Sequence, residues 1–296
     1  PVEFWGWAIP RVKAAFPHII FIAEVYNPYE YRNYLFNGHF DYLYDKVGLY
    51  DTLRDLTCGN NSATSIQYRW QELEGIQKKM LNFLENHDEQ RIASEFFAGN
   101  PFKAIPAMIV SACMNTNPVM VYFGQELGEP GMDEEGFSGR DGRTTIFDYW
   151  CIDTIRRWRN GGKFDGEALT KDEKKLQSFY TTLLNLCNSE KAIAEGEFYD
   201  LTYANLEGCS FNEHRQYAFL RKSGDETLLI VVNFDGHTTE AGIHIPTHAF
   251  EFLNIPIKEQ YDCVDLLTGN AETIELSADG LYKVKLEPYS GKILKI

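Results

Sequence analysis

Residues 18–26 read HIIFIAEVY, and residues 80–86 read MLNFLEN, running straight into His87 and Asp88. The first is a short, continuous apolar run of β-branched and aromatic residues that gives way to a carboxylate. A strand buried on both faces of a parallel sheet reads in this way. FDYLYDKV (40–47) and PVMVYFGQE (118–126) have the same texture. Between these runs the apolar period lengthens. Phe4, Trp7, Ala8, Val12 and Ala15 fall at helical spacing in 2–16, and helical periodicity returns over 48–58 and 62–79. PFKAIPAMIVSACMN (101–115) reads as a helix despite Pro106, with Pro101 suited to its first turn. Residues 171–188 carry Leu176, Tyr180, Leu183, Leu184 and Cys187 on one face. Strand alternating with helix predicts βαβ units around a parallel sheet. A lone open sheet and half of an eight-fold barrel both fit that pattern.

The texture changes near residue 195. QYAFLRK (216–222), TLLIVVNF (227–234), AGIHIP (241–246), DCVDLL (262–267), ETIEL (272–276), LYKVKLE (281–287) and GKILKI (291–296) are separated by turn signals such as SGDE, LTGN and SADG. Several alternate apolar with polar residues. An antiparallel β-sandwich of roughly 100 residues is expected. The division is therefore an α/β domain over 1–194 and a β-sandwich over 195–296.

The net charge of −15 disfavours nucleic acid and anionic membrane surfaces as partners, and solubility alone accounts for it. No apolar stretch is long enough for a membrane helix. The six cysteines are scattered without a C-x-x-C, so no metal cluster is expected. Cys113 and Cys187 sit in apolar runs and read as buried thiols, which favours a reducing, cytoplasmic compartment. Residues 1–7 lack a signal-peptide pattern and an initiator Met, so the natural start is expected upstream. Trp5, Trp7, Trp70 and Trp158 lie in helix-like segments and read as packing residues. His244 and His248 are separated by Pro246, which breaks a helix, so a shared metal is not expected.

Working side chains of a parallel α/β barrel stand at the C-terminal ends of its strands. Glu24, the group Asn86, His87 and Asp88, and the pair Gln125 and Glu126 all qualify, and three polar clusters are expected on one rim. A carboxyl among apolar neighbours has its charged form disfavoured and can hold a proton near neutral pH. It can give that proton to a leaving-group oxygen. Glu24 suits this role, and Asp88 beside His87 suits hydrogen bonds to sugar hydroxyls. On pattern alone, a strand-end Glu is more often a salt-bridge or capping residue, and a His–Asp pair more often structural.

FIAEVY (21–26) resembles the strand-five motif of the α-amylase family of glycoside hydrolases, and FLENHDEQR (83–91) resembles its strand-seven motif. PVMVYFGQELG (118–128) is similar to its strand-eight segment, and GRDGRTTIFDYW (139–150) to the loop that follows. The resemblance implies strands five to eight of a (β/α)8 barrel followed by a β-sandwich. It implies a general acid/base at Glu24 and a transition-state stabiliser at Asp88. Substrate contacts are expected from His87, Asn86, Tyr26, Arg91 and Trp150. The family's nucleophile, an Asp on strand four preceded by an Arg, has no counterpart in this chain. The implied function is part of a retaining α-glucan hydrolase, inactive alone, with self-association expected through the open barrel. The alternative is an amylase-like protein that binds carbohydrate or a partner without turnover. No cofactor is expected in this chain; the resemblance places calcium, where present, near a part of the fold outside it.

Overall fold

In the computed structural model, described over residues 1–131, 141–144, 152–206 and 210–296, every expected strand and helix of the first region is present, most of them shorter than the sequence runs. Helix α1 (Val2–Ala15) packs Ile9 inward. Strands β1 (Ile22–Ala23) and β2 (Tyr42–Tyr44) follow, then α2 (Asp51–Thr57), α3 (Thr64–Glu72), β3 (Met80–Phe83), α4 (Ile105–Cys113) and β4 (Val119–Met120). Pro106 does not break α4, because it occupies the first turn, where its missing N–H has no helical partner to lose. The four strands form one parallel sheet in the order β1-β2-β3-β4. Sequential order with helical crossovers brings all four C-terminal ends to one rim.

Two expectations of burial are corrected. The run 18–26 does not lie between two covered faces. Strand β1 is the edge of the sheet, paired with β2 alone, and Ile20 and Ile22 remain 60% and 46% exposed. Trp7 is likewise 56% exposed on α1, so it is not a packing residue.

Beyond the parallel sheet lie α5 (Asp153–Arg159), α6 (Lys171–Ser189) and α7 (Lys191–Ala194). Helix α6 opens on a reciprocal capping box. Thr170 accepts from the Glu173 N–H, and the Glu173 carboxylate accepts from the Thr170 N–H. The chain then turns antiparallel: β5 (Glu197–Asp200), β6 (Gln216–Ser223), β7 (Glu226–Asn233), β8 (Thr239–His244), α8 (Thr247–Leu253), β9 (Tyr261–Asp265), β10 (Asn270–Ile274), β11 (Leu281–Leu286) and β12 (Ser290–Lys295). Six strands pair in the order β10-β9-β12-β7-β6-β5, and β8 and β11 make a second, two-stranded layer. Strand β5 and helix α8 were not anticipated. The short EFYD run lacks alternation, and Pro246 stands before α8 as its N-cap rather than within a helix.

Strand β7 joins the layers. Its Leu228, Ile230 and Val232 share a core with α4 and α6, and its Leu229 and Val231 share another with Ala241, Ile243, Val284 and Leu286. The strand period of two sends alternate side chains to opposite faces, and both faces here are dry. Backbone approaches closely where β12 passes α4. A Cβ at Gly291 would stand 2.7 Å from Ile109 Cδ1 and 2.8 Å from Val232 Cγ1.

Arg221 on β6 is buried and fastens the layers at a second point. Its guanidinium donates to the carbonyls of Ala192, Ile193 and Gly196 at 2.9 Å and of Met114 at 2.7 Å. These carbonyls cluster at the ends of α4 and α7, where the helix dipole favours a cation. Burial lowers the Arg221 pKa to about 10, which leaves it charged at neutral pH. Cys113 and Cys263 are buried thiols, while Cys151 and Cys209 lie outside the described residues. No helix among the described residues is long and apolar enough to cross a membrane.

Candidate active site

Glu24 is the first residue beyond β1, and His87 and Asp88 lie in the loop after β3. The parallel register sets these two strand ends on the same rim, with β2 between them. His87 Nε2 stands 3.4 Å from Asp88 Oδ2 and 3.9 Å from Glu24 Oε1. The three polar atoms all lie within 4.8 Å of one another, the only such group of acids and histidines among the described residues. The Glu24 side chain is 36% exposed and that of Asp88 57%. Partial burial raises the Glu24 pKa, the His87 charge lowers it, and the Asp88 carboxylate raises it again. Partial burial thereby favours the protonated form of Glu24, while the Asp88 side chain stands more open to solvent.

The loop that presents His87 and Asp88 is closed beneath by a buried ion pair. Arg91 Nη1 donates to Glu85 Oε2 at 2.6 Å, and the Ile92 N–H donates to Glu85 Oε1 at 2.7 Å. Arg91 also donates to Thr144 Oγ1 and to the Phe123 carbonyl. Its guanidinium lies 4.4 Å from the centre of the Tyr122 ring. Arg91 is 0% exposed, so the expectation that it contacts substrate is corrected. Its donors are spent within the protein, and it staples the two ends of the 86–90 loop. Asn86 is likewise buried. Its Oδ1 accepts the N–H groups of Asp88 and Glu89, both at 2.9 Å, so it shapes the loop from below rather than reaching out of it.

Tyr26 stands at the site, 44% exposed, its phenol pushed up to about 12 by burial and by the charges of Glu24 and Asp88. Tyr44, the last residue of β2, was not singled out from sequence. Burial and the same two carboxylates raise its pKa, so it adjoins the pair. Its position at the C-terminal end of the intervening strand was the available signal. Glu89 points away from the pair, held by Lys46 at 3.3 Å, Arg54 at 3.8 Å and the Tyr50 hydroxyl at 3.0 Å. Gln125 does not join the rim either. It is buried, and its amide donates to the Tyr180 hydroxyl on α6. Trp150 lies outside the described residues.

This arrangement can hold a proton on Glu24, offer an accepting carboxylate at Asp88 and place an imidazole donor between them, beside two aromatic side chains. No family model matches the sequence. It is 23% identical over 241 residues to alpha-amylase 2 of Dictyoglomus thermophilum, a match covering 79% of this chain and 37% of that protein. It is 27% identical over 169 residues to a cyclomaltodextrinase of a Bacillus species, covering 56% of this chain and 24% of that one. The solved structure of an Anoxybacillus α-amylase superposes on the whole chain with a TM-score of 0.70 at 18% identity, and the match covers 56% of that protein. The chain thus spans about a third of the length of the first of these relatives. Likeness of sequence over most of its residues, and of fold over all of them, relates the chain to the α-amylase family of glycoside hydrolases.

Proposed function

We propose that this chain supplies strands five to eight of an α-amylase-type barrel, its C-terminal β-domain, and the acid/base half of a retaining α-glucan hydrolase site. The observation that carries the reading is the meeting of Glu24, His87 and Asp88 at the C-terminal rim of a parallel sheet. Glu24 protonates the leaving glycosidic oxygen and afterwards takes a proton from the attacking water. Asp88 and His87 grip hydroxyls of the sugar ring as it flattens toward an oxocarbenium ion, and Tyr26 offers the ring an apolar face. The names of the relatives, an amylase and a cyclomaltodextrinase, support α-linked glucose as the substrate class.

Retention requires a nucleophilic carboxylate about 5–5.5 Å from the acid. The motif resemblance gives that role to no residue of this chain and gives Asp88 a stabilising one. The 296-residue polypeptide is therefore expected to release no reducing sugar from soluble starch. Release that is abolished by Glu24→Gln would overturn this. In a protein that also provides the remaining strands, Glu24→Gln or Asp88→Asn lowers turnover by several orders of magnitude, and full activity in both variants removes the assignment. Phe4 and Trp7 on α1 and Ile20 and Ile22 at β1 are half-exposed, and the unpaired edge of β1 is where this reading has the remaining strands pair.

A further inference from the structure

Helix α8 and strand β5 build a feature that the rim site does not use. Tyr199 on β5, only 8% exposed, is the hub of an aromatic group. Its hydroxyl is hydrogen-bonded to the Tyr203 hydroxyl and, at 2.8 Å, to His248 Nδ1. Its ring centre lies 5.7 Å from those of His248 and Phe252 and 6.3 Å from that of Tyr203. The His248 and Phe252 rings are stacked. Tyr203 and Phe252 are nevertheless 50% and 55% exposed. With Phe198 and Trp70, whose ring centres are 4.9 Å apart, these side chains line a shallow, open trough of about 630 Å³.

The trough lies away from the rim site. Trp70 sits near the C-terminal end of α3 and donates to Asn115, just past α4. Helices of βαβ units run opposite to their strands, so both positions are at the N-terminal ends of the parallel strands.

We propose that this trough is a second binding site for an α-glucan chain, independent of the rim site. Two exposed rings on a rigid hub offer faces to the C–H surfaces of glucose rings. The Tyr203–Tyr199–His248 string sets hydroxyl and imidazole groups beside those faces for sugar hydroxyls. Tyr203 is held by its hydrogen bond to Tyr199 and Phe252 by its stack on His248, so binding has little side-chain entropy to lose. Among the described residues, no lysine or arginine lines the trough. Its one carboxylate, Asp200, already accepts from the Tyr217 hydroxyl and the Thr202 N–H. With a chain charge of −15, a neutral ligand is favoured over an anionic one.

The choice of an α-glucan, as distinct from another neutral polysaccharide, rests on the proposed function. Electrophoresis of the folded chain through native gels containing soluble starch, or xylan as a control, separates the two. Starch is expected to retard the wild type. Phe252→Ala and Tyr203→Ala, at exposed positions, weaken that retardation about tenfold each, whereas Phe164→Ala, at an exposed aromatic outside both sites, leaves it unchanged. Absence of retardation, or retardation that survives both aromatic substitutions, overturns the second site. Retardation by xylan alone, lost in Phe252→Ala, overturns the α-glucan assignment and counts against the proposed function as well. A concentration-dependent mass in light scattering that Phe252→Ala abolishes, with no effect on starch retardation, would assign the trough to a protein contact instead.

Discussion

The two sheets of this molecule are built to opposite standards. In the parallel sheet the paired segments are two to four residues long, and β1 is bare along one edge. In the antiparallel sheet β6 and β7 run eight residues each and are buried almost throughout. The first has the proposed chemistry on its rim; the second has none. Side chains that must meet a ligand stay partly in water, so the rim cannot also be a deep core. Binding and catalytic groups commonly stand on loops fixed by rigid elements, and here β7 packs against α4 and α6 while Glu85 and Arg91 hold the rim loop.

The two buried arginines express the contrast most sharply, and replacing each is the strongest way to break it. Arg221→Leu leaves four carbonyls without their donor, at about 1–3 kcal/mol each where no water reaches, and is expected to lower global stability in urea by more than about 3 kcal/mol. Arg91→Leu strands the buried Glu85 carboxylate, a change that costs about 3–5 kcal/mol at such pairs. Part of that loss should appear locally, as faster hydrogen exchange of the Asp88 and Glu89 amides. If Arg91→Leu lowers the urea midpoint but leaves those amides as protected as before, the stapling role is wrong.

A smaller effect sharpens the comparison on the parallel side. Burial raises the pKa of Asp45, just beyond β2, to about 6, against the N–H groups of Leu49 and Gly48 that lower it. The folded protein therefore binds a proton that the unfolded chain releases earlier. The stability this contributes is fully present below about pH 4 and is lost as pH rises through about 6. Asp45→Asn should flatten that part of the stability–pH curve; an unchanged slope between pH 4 and 6 would exclude Asp45 as its source. Smallest of all is the coupling within the rim. Asp88→Asn removes a charge that raises the Glu24 pKa, so the Glu24 carboxyl should titrate lower by NMR, and no change would mean that the pair is not electrostatically linked.

The sequence made the alternation of strands and helices legible, because apolar period and turn chemistry are local properties. It also led to Glu24, His87 and Asp88, since a polar residue ending an apolar strand is visible without coordinates. What it missed depends on tertiary return. Nothing in FLENHDEQR says that Glu85 and Arg91 turn inward to meet each other, nor that Asn86 braces the loop from below. The exposure of Ile20 and Ile22 follows from β1 being an edge, which a hydrophobic run cannot declare. The aromatic trough was likewise invisible, because its six rings come from segments up to 182 residues apart, Trp70 to Phe252.

Strand β7 has a final implication for anyone wishing to divide the protein. Residues 195–296, expressed by themselves, would present Leu228, Ile230 and Val232 to solvent as a greasy stripe. Residues 1–194 would lose the lid over α4 in the same cut. The composition shift near residue 195 thus marks a change of architecture but a poor place for scissors, and chimeras that exchange one portion should carry the matching half of this seam with them.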